Sequence, residues 1–115
     1  EGNVVIFGAG LGAPFFSTDT AAALRAAEIN ADALLLAKNI GYIYTDDPKI
    51  NPNAQPIYNI SFSEIIAKKL SVIDFTATTF CMDKNIPVLL FGLDDPMNII
   101  RVIKGEIIGT VIKEA

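Results

Sequence analysis

Residues 4–37 read VVIFGAGLGAPFFSTDTAAALRAAEINADALLLA, and the order of residue types in this stretch decides the class of fold. Short apolar runs at 4–7 and 33–37 have the length and composition of buried β-strands. Between them, residues 20–29 are mostly good helix formers, and the Ser-Thr-Asp sequence at 17–19 is typical of a helix start. The stretch therefore predicts a βαβ unit with a right-handed crossover.

The rest of the chain continues the same alternation of apolar runs and helical segments. Residues 88–91 and 107–112 are predicted strands. Helix-start residues predict three further helices, which begin near Ser61, Asp74 and Asp95. Together these elements predict an α/β fold, a three-layer α/β/α arrangement around a mostly parallel sheet.

The stretch TDDPKINPNAQPIY at 45–58 has three prolines and neither a helical nor a strand period. It is therefore predicted to be a loop. Loops of this length are uncommon inside a compact domain and tend to be functional. We hypothesise that this one is mobile until a ligand binds.

Composition excludes several classes of function. The chain of 115 residues allows one domain, and its net charge of −4 argues against binding to nucleic acid or anionic lipid. No apolar run approaches the roughly 18 residues that a membrane-spanning helix needs. With Cys81 as its only cysteine and no histidine, the chain lacks an internal disulfide and the usual zinc ligands, which predicts a reducing, cytoplasmic location.

The glycine-rich segment that follows the first apolar run suggests a phosphate-bearing ligand. Gly8, Gly10 and Ala13 fit the G-x-G-x-x-G/A dinucleotide fingerprint, but that motif begins its helix within the glycines, whereas Pro14 follows them here. The acidic residue expected about twenty positions later is replaced by Lys38. A dinucleotide is therefore disfavoured, while a glycine turn without a ligand stays open.

Larger motifs suggest a family. GLGAPFFSTDTAA at 10–22, AEINADALLLAKN at 27–39, YTDDP at 44–48 and IPVLLFGLDDPMNIIRVIKGEIIGT at 86–110 resemble the C-terminal half of bacterial uridylate kinase (UMP kinase), of the amino acid kinase superfamily. The resemblance covers nearly the whole chain. It implies the carbamate kinase-like fold, with residues 1–115 as the C-terminal half of the domain and the N-terminal half absent.

The resemblance also implies an activity. Family members transfer the γ-phosphoryl group of ATP to UMP with Mg²⁺, form hexamers and respond to GTP and UTP. Because the family's glycine-rich phosphate loop and a phosphate-binding lysine lie in the other half, the chain alone is expected to be inactive. No residue of the chain is assigned to a metal.

By the same resemblance, one loop would contact UMP, mostly through its main chain. Its residues are Leu11, Gly12, Ala13, Pro14, Phe15, Phe16, Ser17 and Thr18. The adjacent Asp19 matches an aspartate near the transferred phosphoryl group, where a carboxylate can orient lysines or metal. A favourable charge at a helix N-terminus explains Asp19 equally well.

The family's ATP contacts fall on Lys38, Tyr44 and Asp47. Each also has a purely structural explanation: a solvated lysine at a strand end, a rim aromatic, and an Asp-Pro turn. One local departure is that the family's usual Val-Asp-Gly-Val-Tyr reads Ile-Gly-Tyr-Ile-Tyr at 40–44, which moves the glycine one place.

Three other functions remain open. The chain could belong to a kinase with an acyl phosphate acceptor, such as glutamate, acetylglutamate or aspartate, although PFFSTD at 14–19 disfavours this. It could instead be a non-catalytic nucleotide-binding module, or a structural oligomerisation domain. Cys81 is expected to be a buried hydrophobe rather than a nucleophile, and the Asp94-Asp95 pair a helix cap rather than a metal site.

Overall fold

The computed structural model of the chain describes residues 2–8, 12, 17–70 and 72–114. Helices and strands alternate along these residues, which confirms the predicted α/β class. In chain order the elements are α1 (Thr18–Glu28), β1 (Leu34–Lys38), β2 (Ile43–Tyr44), β3 (Pro56–Ile57), β4 (Asn59–Ile60), α2 (Phe62–Ala67), α3 (Phe75–Lys84), β5 (Val88–Gly92), α4 (Met97–Ile103) and β6 (Thr110–Ile112).

Four of the strands form a mostly parallel sheet with the order β1-β5-β6-β4. The pairs β1–β5 and β4–β6 are parallel, whereas β5 and β6 are antiparallel. The predicted strand at 107–112 forms only over its last three residues, and Ile107 is exposed. The mostly parallel sheet is confirmed, with β5 as an inner strand between β1 and β6.

The predicted strand at 4–7 is wrong for the described structure, since residues 2–8 have no regular secondary structure. Val4 and Ile6 are 92% and 89% exposed. An apolar run forms a strand only where a neighbouring strand pairs with its backbone, and no described strand pairs with this one. The predicted βαβ unit is therefore not formed, and the parallel neighbour of β1 is β5.

The prediction that 45–58 has no strand is also wrong in part, because β3 lies within it and pairs with β2 as an antiparallel hairpin. Thr45 N–H donates to the carbonyl of Gln55 at 2.9 Å, and Gln55 N–H donates to Thr45 Oγ1 at 2.9 Å. The strands are only two residues long and β3 begins at Pro56, so they leave no period to detect. The intervening residues form the hairpin loop.

The predicted helix starts are confirmed, and one of them is shifted by one residue. Ser61 Oγ accepts from the amide of Glu64 at 3.0 Å, as a capping residue does. Asp95 precedes the N-cap Pro96 by one residue, yet its carboxylate still accepts from the amide of Met97 at 3.0 Å. Ser17 and Asp74 cap α1 and α3 in the same manner.

A buried threonine joins the hairpin to the sheet. Thr110 of β6 is fully buried, and its Oγ1 donates to the carbonyl of Ile57 and accepts from the amide of Ile43 at 2.9 Å. Because Ile57 and Ile43 belong to β3 and β2, one side chain satisfies buried backbone groups of both hairpin strands. The hairpin is thereby held against the end of the sheet.

No helix within the described residues is both long and apolar enough to cross a membrane.

Candidate functional site

The site begins at the carboxyl ends of two neighbouring parallel strands. Lys38, the last residue of β1, is in register with Gly92, the last residue of β5. The amide of Leu93 donates to the carbonyl of Lys38 at 2.8 Å, which fixes the chain where it leaves the sheet. Open α/β sheets bind ligands at this edge.

An ion pair joins this edge to the start of α1. Lys38 Nζ lies 2.6 Å from Asp19 Oδ1, and the two side chains are only 25% and 13% exposed. A charge-assisted hydrogen bond of this length in a half-buried position is geometrically well defined. The structure thus brings together two sequence-predicted site residues, and it gives Asp19 a partner beyond the helix terminus.

Part of the predicted UMP-contacting loop lies outside the described residues, namely Leu11, Ala13, Pro14, Phe15 and Phe16. Gly12 is described and has a φ of +77°, which favours glycine. Ser17 and Thr18 are exposed at the N-terminus of α1, directly before Asp19. Their hydroxyls and Asp19 therefore lie on one turn of chain.

Asp74, at the N-cap of α3, was not predicted as a site residue. Its carboxylate accepts hydrogen bonds from Ser17 Oγ and from Thr20 Oγ1, the latter at 3.2 Å to either carboxylate oxygen. Ser17 and Asp74 are 57 positions apart. The sequence signalled only a helix start, because nothing local shows that α3 begins beside α1.

A cavity of about 790 Å³ lies beside the hairpin. Tyr44 and Asp47, both predicted ATP contacts, line it, whereas Lys38 does not, although the next residue, Asn39, does. Three lysines that sequence reasoning missed also line this cavity: Lys49, Lys68 and Lys69. Lys68 and Lys69 follow the end of α2, and no local pattern distinguishes them from ordinary surface lysines.

Asp47 has a clear structural role. Its Oδ1 accepts from the amide of Lys49 at 2.9 Å, and its carbonyl accepts from the amides of Ile50 and Asn51. These bonds are those of an Asp-initiated turn. The adjacent Asp46 accepts from the amide of Asp47 and from Asn51, and these bonds lower the pKa of the Asp46 carboxyl from its ordinary value.

Tyr44 lies at the edge of a small aromatic group. Its ring meets that of Tyr42 edge-on with centroids 6.3 Å apart, and Tyr42 in turn meets Tyr58 at 5.5 Å. Edge-to-face contacts orient aromatic rings. The half-buried Tyr44 ring is thereby fixed at the wall of the cavity.

The backbone of the displaced glycine, Gly41, passes close to Gly92 at the end of β5, although a Cβ built on Gly41 itself would meet nothing within 4 Å. A Cβ built on Gly92 would come within 3.1 Å of Gly41 Cα and 2.8 Å of Asp94 Oδ1. The segment after β1 therefore passes against the end of β5 at the backbone level. Gly41 also lines the cavity, so this close approach shapes the cavity wall.

Two residues that resembled functional groups have structural roles, as predicted. Cys81 is buried in the core, and burial raises the pKa of its thiol to about 11, which makes it a poor nucleophile. The Asp95 carboxylate accepts from the amide of Met97 and from Arg101 at 2.9 Å, and these bonds lower its pKa. Within the described residues, no group of three acidic, cysteine or histidine side chains could hold a metal ion.

The fold and this edge of the sheet define a class of protein. Residues 1–92 match the model of the amino acid kinase family, and the chain belongs to that family. It is 54% identical over 112 residues to the chloroplastic uridylate kinase PUMPKIN of Arabidopsis thaliana, a match that covers 97% of this chain and 33% of that protein.

Solved structures of UMP kinases also match the chain. The UMP kinase from Bacillus anthracis superposes with a TM-score of 0.86 at 34% identity, over 90% of this chain and 43% of that one. The UMP kinase from Ureaplasma parvum gives 0.83 at 38% identity, over 91% and 45%. The chain thus spans about a third of the curated relative and less than half of each of these solved chains.

Proposed function

We propose that the protein carrying this chain is an ATP-dependent UMP kinase, which transfers the γ-phosphoryl group of ATP to UMP and forms UDP and ADP. The observation that carries the proposal is the Lys38–Asp19 pair. It lies between the exposed hydroxyls at the start of α1 and the segment that leads to the cavity beside the hairpin. The names of the relatives support UMP rather than an acyl phosphate as the acceptor.

In this proposal the two nucleotides approach the pair from opposite sides. The acceptor contacts the loop that ends in Ser17 and Thr18, a loop that also includes Leu11, Gly12, Ala13, Pro14, Phe15 and Phe16. The donor contacts Tyr44 and Asp47 in the cavity. Residues 1–115 act as the C-terminal half of the kinase domain.

Lys38 and Asp19 then have separate roles. Phosphoryl transfer places charge on the equatorial oxygens of the transferred group, and little covalent chemistry is needed from the protein. The Lys38 ammonium neutralises that charge, whereas the Asp19 carboxylate orients the ammonium through the 2.6 Å contact. Asp19 acts by orientation and not as a general base.

Mg²⁺ enters with ATP. This ion is usually bound by one or two carboxylates together with substrate phosphates and water, so it does not need a cluster of three protein ligands, and the residues that the structure describes contain none. Asp19 is the carboxylate that would contribute, and Mg²⁺ would supply neutralisation of the phosphate charge. A hexameric assembly, GTP and UTP as effectors, and a cytoplasmic location are further predictions from the family resemblance.

A substrate comparison tests the proposal. A protein of the relatives' length that carries this chain is supplied with ATP, Mg²⁺ and one acceptor at a time: UMP, CMP, glutamate, acetylglutamate or aspartate. UDP formation with UMP alone is expected. Transfer to an amino acid carboxylate with none to UMP would assign the chain to the acyl phosphate branch, and no transfer to any acceptor would favour a non-catalytic module.

A binding experiment on the 115-residue chain complements this comparison. The chain is checked by mass and titrated by calorimetry with Mg·ATP and, separately, with UMP. Saturable ATP binding with weak or absent UMP binding is expected, because the donor-side residues Tyr44 and Asp47 line a formed cavity. Tight UMP binding without ATP binding would contradict the assignment of the two sides.

A further inference from the structure

The carboxylate of Asp74 contacts more groups than a helix cap requires. As the N-cap of α3 it accepts from the amide of Ala77 at 2.7 Å, which satisfies one free donor of that helix. It also accepts from the hydroxyls of Ser17 and Thr20, which belong to the start of α1. The side chain of Asp74 therefore makes hydrogen bonds to the first turns of both α1 and α3, two helices that are distant in sequence.

The direction of these bonds is fixed by chemistry. An ionised carboxylate accepts hydrogen bonds and donates none, so both hydroxyls give it their protons. Ser17 Oγ also accepts from the amide of Thr20 at 3.2 Å as the N-cap of α1. A hydroxyl has one proton and two lone pairs, so Ser17 keeps one lone pair free and no proton.

We infer that Asp74 is a positioning residue of the acceptor side, which fixes the Ser17 hydroxyl so that it meets a ligand only as a hydrogen-bond acceptor. By holding the first turn of α1, Asp74 also places Asp19 against Lys38. The inference rests on the proposed function, since that function makes Ser17 an acceptor contact. It predicts that the Ser17 hydroxyl selects an O–H or N–H group of the acceptor nucleotide.

Two variants separate positioning from capping. Asn and Ser are about as good as Asp at an N-cap, so Asp74→Asn and Asp74→Ser both keep the start of α3. Asn turns one carboxylate oxygen into an amide donor, which reverses the bond that Ser17 can make. A Ser side chain caps α3 but is too short to contact the hydroxyls of Ser17 and Thr20 at the same time. Ser61→Ala is the matched control, because it removes a helix cap that makes no bond to α1.

The readouts are steady-state kinetics and amide exchange, measured in a protein of the relatives' length that carries this chain. For both Asp74 variants the KM for UMP is expected to rise about tenfold, the effect of one charge-assisted hydrogen bond, while the KM for ATP stays within about twofold. The amide of Thr20 should exchange faster than in the unmodified protein. Ser61→Ala should change neither the UMP KM nor the Thr20 exchange.

Two results would overturn the inference. One is an unchanged UMP KM and unchanged Thr20 exchange in both Asp74 variants. The other is a parallel rise in the KM of both nucleotides, as a general loss of folding would produce. Absence of UMP turnover in the unmodified protein would instead show that the proposed function is wrong, and the acceptor-side role would fail with it.

Discussion

At the scale of single residues, the site depends on two polar side chains that are half-buried and satisfied by each other. Lys38 ends a strand and Asp19 begins a helix, and each has an ordinary local explanation in the sequence. Neither of these local explanations predicts the 2.6 Å contact between the two side chains. It also makes each residue costly to replace alone, since the partner would keep its burial and lose its hydrogen bond.

Lys38→Met is expected to lower the free energy of unfolding by about 1–3 kcal/mol, because the Asp19 carboxylate would remain half-buried without its partner. Urea unfolding measures this loss. Combining it with Asp19→Asn should restore part of the stability, as coupled pairs do in double-mutant cycles. The matched control is Lys104→Met at an exposed position after α4, for which little change is expected.

In the proposed reaction, Lys38→Met should also reduce kcat by about 10²-fold, the effect of removing one group that stabilises transition-state charge. A kcat unchanged by Lys38→Met would contradict the role of Lys38 in transfer.

Cys81 should give the protein a pH dependence in alkali. Burial raises the pKa of the folded thiol from 9.0 to about 11, so between these values the unfolded chain loses a proton that the folded chain keeps. Stability should therefore fall as pH rises from about 9 to 11, by at most about 1.4 kcal/mol per pH unit from this group. Urea unfolding of Cys81→Ala across the same range should show a smaller slope, and equal slopes would contradict the argument.

At the scale of elements, the pairing of β5 with β6 depends on one glycine. Gly109 directly precedes β6 with a φ of +91°, and a Cβ built on it would lie 2.0 Å from the carbonyl oxygen of Leu90. Gly105 after α4 has a φ of +92°, but a Cβ there would meet nothing within 4 Å. The two positions share a positive φ and differ in the space that a Cβ would find.

Gly105→Ala should therefore cost about 1–2 kcal/mol of stability, the usual strain of a left-handed backbone in a residue with a side chain. Gly109→Ala should cost clearly more, because β5 and β6 must also separate to admit the methyl group. Thermal unfolding of the two variants measures the difference. Equal losses at the two positions would show that the Leu90 contact relaxes without cost.

At the scale of the whole molecule, the cavity is assembled from three separated segments. The loop after β1 contributes Gly41, the hairpin contributes Tyr44 and Asp47, and the end of α2 contributes Lys68 and Lys69. The hairpin is held to the sheet through Thr110, whereas its loop is held mainly by its own turns. This arrangement suits a loop that responds to a ligand in the cavity.

The hypothesis that the 45–58 stretch is mobile until ATP binds can be tested by amide exchange. The amides of Ile50 and Asn51 should exchange more slowly when ATP is added, since the loop would be ordered against the nucleotide. The amide of Ile43, which Thr110 already holds, should change little and serves as the internal control. Exchange at 50 and 51 that is equally slow with and without ATP would contradict the hypothesis.

Local signals in the sequence were sufficient for much of the fold. The strand at 88–91, the strand near 33–37 and the caps at Ser17, Ser61 and Asp74 were all predicted, because apolar runs and capping residues act over a few positions. The failures were the strand at 4–7 and the hairpin strands at 43–57. Strand formation depends on a distant partner, which local composition does not reveal.

The sequence by itself determined the α/β class, the family resemblance and the identity of the polar residues at the edge of the sheet. Only the tertiary structure decided which of them come together: Lys38 pairs with Asp19, Ser17 bonds to Asp74, and Tyr44 lines the same cavity as the lysines after α2. The physical reason is the distance along the sequence over which each interaction acts. Helix caps and strand propensity depend on neighbours within a turn, whereas a hydrogen bond between residues 57 positions apart exists only after the helices pack.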